Sequence, residues 1–196
     1  MSRATTARAA CAALLCAVAA FVAMPSSAYA CTAPSGGVWA DSTANVILTA
    51  GTLSLSVPAS VSITGTLGTA SSFSTTMGTI QIQDNRGSLT GWTLTALTSG
   101  DLTTGGASPQ TVSLGTSTVG GPLVLSPGSI TAVSGSLVGV TPGAGGSLNP
   151  SQSVTVARAL PLGGAGTYTM TPTLTFTPPA NIVAATYTTT ITYSLS

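Results

Sequence analysis

The feature that most constrains this chain is an alternation of apolar and polar residues, repeated in short runs from residue 53 to the C-terminus. The clearest runs are Leu53–Val57, Ile80–Asp84, Trp92–Leu97 and Tyr187–Leu195. Successive side chains of a β-strand point to opposite faces, so this pattern places one face of each strand on a core and the other in solvent. No run after residue 30 combines helical spacing of apolar residues with capping residues, so we predict no helix there.

Shorter or interrupted runs complete the pattern. These further predicted strands are Val61–Leu67, Val112–Leu114, Leu123–Leu125, Ile130–Val133, Leu137–Val140, Ser153–Val156 and Tyr168–Phe176. Pro172 interrupts the last of them, and because proline cannot donate to a ladder we expect an edge strand or a bulge there. Many short strands separated by glycine- and proline-containing turns predict an all-β fold, an antiparallel β-sandwich of the immunoglobulin-like or Greek-key type.

The first thirty residues have the features of an export signal. Two arginines precede an apolar run from Ala9 to Met24, and Ala28 and Ala30 form a small-x-small cleavage pattern. We therefore expect residues 1–30 to be a signal peptide and the protein to be secreted, either extracellular or associated with the cell wall. After cleavage we expect no transmembrane span. A retained N-terminal anchor is the alternative.

The remainder of the chain is expected to hold one domain. We predict a lead-in segment at residues 31–44 and a single β-sandwich domain at residues 45–196, a size that buries a core without disulfide bonds. Cys31 is the one cysteine after the signal, so no intramolecular disulfide can form. We interpret it as a free thiol. Lipidation and a nucleophilic role are the alternatives, the second opposed by the lack of any histidine or lysine to activate the thiol.

Charged residues are scarce, and this excludes several classes of function. After residue 30 the charged residues are Asp41, Asp84, Arg86, Asp101 and Arg158, and the chain has no histidine. Nucleic-acid binding needs several cations, and zinc and calcium sites need clustered ligands. We therefore predict no nucleic-acid partner, no metal, no cofactor and no catalysis. A glycosidase-type pair of Asp84 and Asp101 is the enzymatic alternative, and a turn role for Asp84 is favoured over it.

The segment Asp84–Ala96 resembles the WxL domain of Gram-positive surface proteins. Those domains carry an Asp-x-Arg-Gly segment followed by Gly-Trp-x-Leu, and the matching residues here are Asp84, Arg86, Gly87, Gly91, Trp92 and Leu94. The closing segment Pro179–Leu195 is similar to the last strand of the family, which typically ends in a second Trp-x-Leu. Tyr193 and Leu195 occupy those positions here, so the second motif is degenerate.

The resemblance implies a non-catalytic domain that associates non-covalently with the cell wall. Its implied partners are peptidoglycan or another wall polymer, and other surface proteins. The six matching residues, together with Tyr193 and Leu195, are the candidate wall-binding residues. The alternative function is a structural subunit of a surface fibre or layer, assembled by strand pairing through the uncharged run Tyr187–Leu195. The environment of Trp92 separates two roles for the motif. An exposed ring predicts ligand contact, and a buried ring makes the motif a folding feature.

Overall fold

The structure is a computed structural model that describes residues 44–196, and these residues form only strands and loops. The chain divides into a unit that ends at Ile47 and a compact unit from Leu48 to Ser196. The predicted signal peptide, Cys31 and nearly all of the lead-in segment lie outside the described residues. Within residues 44–196 there is no helix of the length and hydrophobicity that a membrane crossing requires.

Fourteen strands occur in the described part of the chain. In chain order they are β1 (Leu53–Ser56), β2 (Phe73–Thr76), β3 (Ile80–Asp84), β4 (Trp92–Thr98), β5 (Leu102–Thr103), β6 (Thr111–Val112), β7 (Leu123–Ser126), β8 (Ile130–Gly135), β9 (Val140–Pro142), β10 (Gly146–Ser147), β11 (Val154–Ala159), β12 (Gly166–Met170), β13 (Thr173–Phe176) and β14 (Ile191–Leu195). Every pairing between these strands is antiparallel. This confirms the predicted all-β, antiparallel fold class.

The strands form three four-stranded sheets and one short ribbon. Sheet 1 has the order β1-β3-β12-β8, sheet 2 the order β10-β7-β13-β2, and sheet 3 the order β14-β4-β11-β9, while β5 and β6 make the ribbon. Alternate residues of these strands are buried, as in the pattern of β3, and their apolar side chains join one core. Fully buried members of that core include Ile80, Ile82, Leu94, Leu125, Val156 and Tyr168.

At three neighbouring positions the chain bends from a strand of one sheet into a strand of the other, between sheets 1 and 2. The pairs β2 and β3, β7 and β8, and β12 and β13 each place one member in either sheet, with only a few residues between them. At this level the Met77 amide donates to the Pro172 carbonyl over 2.8 Å. Strands that change sheets at a bend are a usual way of making the corner of a sandwich.

The expectation of an edge strand or bulge at Pro172 is therefore wrong. Strands β12 and β13, on either side of this proline, are interior strands with a partner on each edge. Pro172 is fully buried at the bend between them. Because neither ladder runs through this position, its missing amide hydrogen leaves no bond unmade.

Some predicted strands are shorter than expected or absent. Val61–Leu67 forms no strand, although Val61 and Ile63 pack against the core. The alternation of apolar and polar residues in this run matches the packing of its side chains, but its backbone has no partner strand. The terminal run is a strand only over Ile191–Leu195, and the run predicted at Leu137–Val140 lies mostly before β9. Strands β2, β5 and β10 were not predicted, since two of them have only two residues and β2 reads Phe-Ser-Thr-Thr.

Candidate functional site

The loop that follows β3 is closed by an ion pair between Asp84 and Arg86. The Arg86 Nε donates to Asp84 Oδ1 and its Nη2 donates to Oδ2, both over 3.0 Å. The backbone amide of Arg86 also donates to Oδ1, over 3.1 Å. Asp84 is 4% exposed, so this carboxylate is held out of solvent by the guanidinium fork. The motif residues Asp84 and Arg86 thus bind each other.

The same arginine ties the loop to the start of β4. Its Nη2 donates to the Gly91 carbonyl over 2.7 Å. Gly91 has a φ of +77°, and a Cβ added there would clash with the Ala159 carbonyl oxygen. Only glycine fits this approach of two backbones. Gly87 has a φ of +68° but open space around it, so its need for glycine is conformational alone.

The electrostatics of the pair follow from this geometry. Hydrogen bonds from Arg86 hold the pKa of Asp84 below its ordinary value, with burial acting in the opposite direction. The same hydrogen bonding raises the pKa of Arg86. Burial raises the pKa of Tyr168, and the charge of Asp84 adds to that effect. A carboxylate whose charged form is favoured in this way is suited to bracing a loop and poorly suited to accepting a proton.

Trp92 is part of the core. Its side chain is only 3% exposed, and its indole Nε1 donates to the Gly164 carbonyl over 3.0 Å. Its ring lies 5.8 Å from that of Tyr168 at an interplanar angle of 51°. The Tyr168 hydroxyl in turn lies 2.8 Å from the Ser136 carbonyl and 2.9 Å from that of Ala165. Trp92 therefore joins three segments of chain, which makes the motif a folding feature.

Two partners of Trp92 were not identified from the sequence. Gly164 has a φ of +81°, and a Cβ there would lie 2.7 Å from the indole Nε1. Tyr168 supplies the neighbouring ring. The pair Gly163-Gly164 signals a turn in the sequence, but nothing local indicates which side chain the turn must approach.

The structure brings the two motif segments side by side. Strands β4 and β14 are paired, so that Leu94 lies opposite Leu195, and Ala96 lies opposite Tyr193. Leu94 is fully buried, whereas Tyr193 and Leu195 are partly buried against the core. The Tyr193 hydroxyl lies 3.7 Å from the Met77 sulfur, and burial raises the pKa of Tyr193 to about 12. All eight candidate residues thus lie in the Asp84–Leu94 segment or in the strand beside it.

Asp84 and Asp101 do not converge. Asp84 faces Arg86 near the start of β4, whereas Asp101 follows the end of that strand and accepts the Leu114 amide over 2.8 Å. A seven-residue strand spans roughly 20 Å, too far for two carboxylates to act on one glycosidic bond. Among the described residues no three histidine, cysteine or acidic side chains form a metal-binding group.

The outer side of sheet 3 carries a row of hydroxyl groups around one arginine, here called the hydroxyl face. Trp92, Leu94 and Ala96 point inward, so Thr93 and Thr95 point outward. Cross-strand register adds their neighbours on the same side. The members of the hydroxyl face are Thr93, Thr95, Thr141, Thr155, Arg158 and Ser194.

Arg158 is the exposed cation of this face. Its Nε donates to the Thr141 hydroxyl over 3.4 Å, which leaves most of its five donors free for a ligand. The alternation of β4 could have indicated Thr93 and Thr95. The other members come from strands distant in sequence and depend on the register of sheet 3.

Searches of family models, of curated proteins and of solved structures each found no match to this chain.

Proposed function

We propose that this protein is a secreted, non-catalytic surface domain that associates non-covalently with a cell-wall polymer. The observation that carries the proposal is the hydroxyl face, an antiparallel array of threonine and serine side chains around Arg158. Each hydroxyl can donate one hydrogen bond and accept others, as the hydroxyl and amide groups of a polysaccharide require. The guanidinium suits carboxylate or phosphate groups on such a polymer.

The Asp84–Leu94 motif positions strand β4, which supplies two residues of the hydroxyl face. Trp92 fixes the start of β4 through Gly164, and Arg86 fixes the chain just before it through the Gly91 carbonyl. Strand β4 supplies Thr93 and Thr95 to the centre of the face. The motif residues therefore bear on wall association through the position of β4, and we assign them no direct contact with the polymer.

A cell-wall pelleting assay tests the proposal. Protein purified from the medium of a secreting host is mixed with purified Gram-positive cell walls, and the walls are pelleted. We expect the protein in the pellet, with T93V/T95V and Arg158→Gln weakening binding by about 3- to 10-fold per lost interaction. The matched control is T131V/T169V, a pair of threonines opposite each other in strands β8 and β12 of sheet 1. We expect this control to bind as the wild type does.

Two results contradict the proposal. One is wild-type protein that stays wholly in the supernatant. The other is equal binding by T93V/T95V and T131V/T169V, which would show that the hydroxyl face is not the contact.

The alternative, a subunit of a fibre or layer, draws support from the position of β14. This strand has β4 on one side and no partner on the other, so it is an edge of sheet 3 in the described structure. An uncharged edge strand is a template for pairing with a second copy. Analytical ultracentrifugation at increasing concentration decides the matter: reversible association supports the alternative, and a monomer throughout contradicts it.

A further inference from the structure

Three loops converge at the end of the domain where β4 begins; we call this region the loop end. They span residues 85–91, 136–139 and 160–165. The Leu162 amide donates to the Leu89 carbonyl over 2.7 Å, and the Leu160 amide donates to the Gly139 carbonyl over 2.9 Å. The buried Trp92 and Tyr168 reach the same loops through Gly164 and Ser136. Hydrogen bonds therefore hold the three loops of the loop end to one another and to the buried aromatic residues.

The outside of the loop end is aliphatic. Its exposed large hydrophobic side chains are Leu89 at 44%, Leu137 at 46%, Val138 at 80%, Leu160 at 50% and Leu162 at 84% exposure. Single exposed leucines are common on proteins, but five on three adjoining loops form a patch. Such patches mark contact with another apolar surface.

The backbone gives an independent reason to assign a role to two of these leucines. Leu89 has a φ of +52° and Leu162 a φ of +69°. Every other residue at positive φ in the described part of the chain is a glycine. A leucine is strained in this region where a glycine is not. In a chain so rich in glycine, two exposed leucines at such positions indicate that their side chains are needed.

We propose that the loop end inserts into the surface of a lipid bilayer. Its exposed side chains are leucine and valine, which match the acyl region of a membrane, and its rings, Trp92 and Tyr168, are buried. A sugar would therefore find no aromatic platform on the loop end. The five aliphatic side chains of the loop end lie outside the hydroxyl face, and the two surfaces meet at Arg158.

Charge and chain direction favour a bilayer as the partner. Arg158 lies two residues before Leu160 at the rim of the loop end, while Asp101 lies beyond the opposite end of β4. Since Arg86 is paired with Asp84, Arg158 is the one exposed cation beside the loop end among the described residues, and it can contact an anionic lipid headgroup. The Gly51 amide donates to the Asn85 carbonyl over 2.9 Å, so the chain enters the domain beside the first of these loops.

Vesicle flotation tests the proposal. Secreted protein, with its N-terminus identified by mass spectrometry, is mixed with vesicles of phosphatidylglycerol and phosphatidylcholine, or of phosphatidylcholine alone. We expect the wild type to float with the vesicles, more strongly with those that contain phosphatidylglycerol. L89N/L162N should lower the ratio of bound to free protein at least about tenfold, because two leucines no longer enter hydrocarbon. Asparagine tolerates positive φ, so the variant retains its backbone.

The controls separate this activity from folding and from wall binding. Val133→Asn, at a side chain 64% exposed on β8, should float as the wild type does. L89N/L162N should still pellet with cell walls, since neither leucine belongs to the hydroxyl face. The proposal is overturned if the wild type floats with neither vesicle or if L89N/L162N floats equally well. It is also overturned if size-exclusion chromatography shows a wild-type dimer that L89N/L162N abolishes, which would make the loop end a contact between copies.

Discussion

Two aromatic-x-leucine segments lie side by side in sheet 3 and differ in how firmly the protein holds them. Trp92 and Leu94 belong to the interior strand β4 and are 3% and 0% exposed. Tyr193 and Leu195 belong to the edge strand β14 and are only partly buried. The two leucines are directly opposite each other in the ladder, yet one is enclosed and the other borders solvent.

The difference comes from neighbours and from polar partners. Strand β4 is flanked by β11 and β14, whereas β14 has β4 alone. The Trp92 indole donates to a carbonyl over 3.0 Å, and the Tyr193 hydroxyl meets a thioether sulfur over 3.7 Å, which is a weak acceptor. Two similar sequence patterns therefore take different roles: the interior segment anchors three loops, and the edge segment covers the side of the core.

Replacing the two aromatic residues should give the largest contrast. Trp92→Ala removes a buried ring, its hydrogen bond and its contact with Tyr168, and should lower the free energy of unfolding by about 3–5 kcal/mol. Tyr193→Ala should cost about 1–2 kcal/mol, because its ring is partly solvated already. Urea denaturation followed by circular dichroism measures both. Equal losses would show that β14 is as essential to the fold as β4.

Leu94 and Leu195 lie opposite each other in the ladder, so they allow the same comparison of β4 with β14 at a single residue pair. Leu94→Ala should cost about 2–4 kcal/mol, since the cavity lies in a fully enclosed site. Leu195→Ala should cost about 1 kcal/mol, because solvent and neighbouring side chains can fill the space at the edge. The same denaturation curves test this, and a larger loss for Leu195→Ala would contradict the assignment of β14 as the looser segment.

The Asp84–Arg86 ion pair should contribute less to the free energy of unfolding than the Trp92 ring does. Asp84→Asn weakens the interaction with the Arg86 fork and should cost about 1.5–3 kcal/mol near neutral pH. The pKa of Asp84 is lowered in the folded state. Its contribution is therefore complete above the ordinary pKa of 3.8 and is lost as pH falls toward the lower folded value.

Acid unfolding checks the sign of this effect. The wild type should lose stability more steeply than Asp84→Asn as pH falls below 3.8. Asp101→Asn is the matched control, because that carboxylate accepts a backbone amide and has no arginine partner among its described contacts. Parallel acid curves for the wild type and Asp84→Asn would contradict the role given to the pair.

The strands could be predicted where a local pattern was sufficient. Ile80–Asp84 has the predicted bounds, and Trp92–Leu97 is one residue short of β4, because alternation at one strand shows which side chains are buried. Val61–Leu67 shows the same alternation but lacks a backbone partner, and pairing depends on distant residues. Pro172 marked a break correctly. That the break is a corner between two interior strands follows only from the sheet order.

The site was harder to predict for the same reason. The motif located Asp84, Arg86 and Trp92, and the turn role expected for Asp84 agrees with its bonds to Arg86. Whether Trp92 faced solvent depended on Gly164, a partner 72 residues away. The positive φ angles of Leu89 and Leu162 have no signal in the sequence, since leucine seldom adopts them. Local pattern thus predicted elements, and tertiary register decided what each element contacts.

Removing only the hydroxyl of Tyr193 should have the smallest effect at neutral pH, below about 0.5 kcal/mol, because a thioether is a weak acceptor. Burial raises the pKa of Tyr193 to about 12, above the ordinary value of 10. The stabilisation is therefore complete below pH 10 and is lost as pH rises toward 12, since the unfolded chain releases this proton first. Allowing for solvent screening of a partly exposed ring, the loss is on the order of 1 kcal/mol.

Denaturation of the wild type, Tyr193→Phe and Tyr187→Phe below pH 10 and near pH 12 measures this loss of stability. Tyr193→Phe should be the least sensitive to alkali, with a residual dependence from the raised pKa of Tyr168. If Tyr193→Phe loses as much stability in alkali as Tyr187→Phe does, the edge segment is more open to water than the comparison with Trp92 requires.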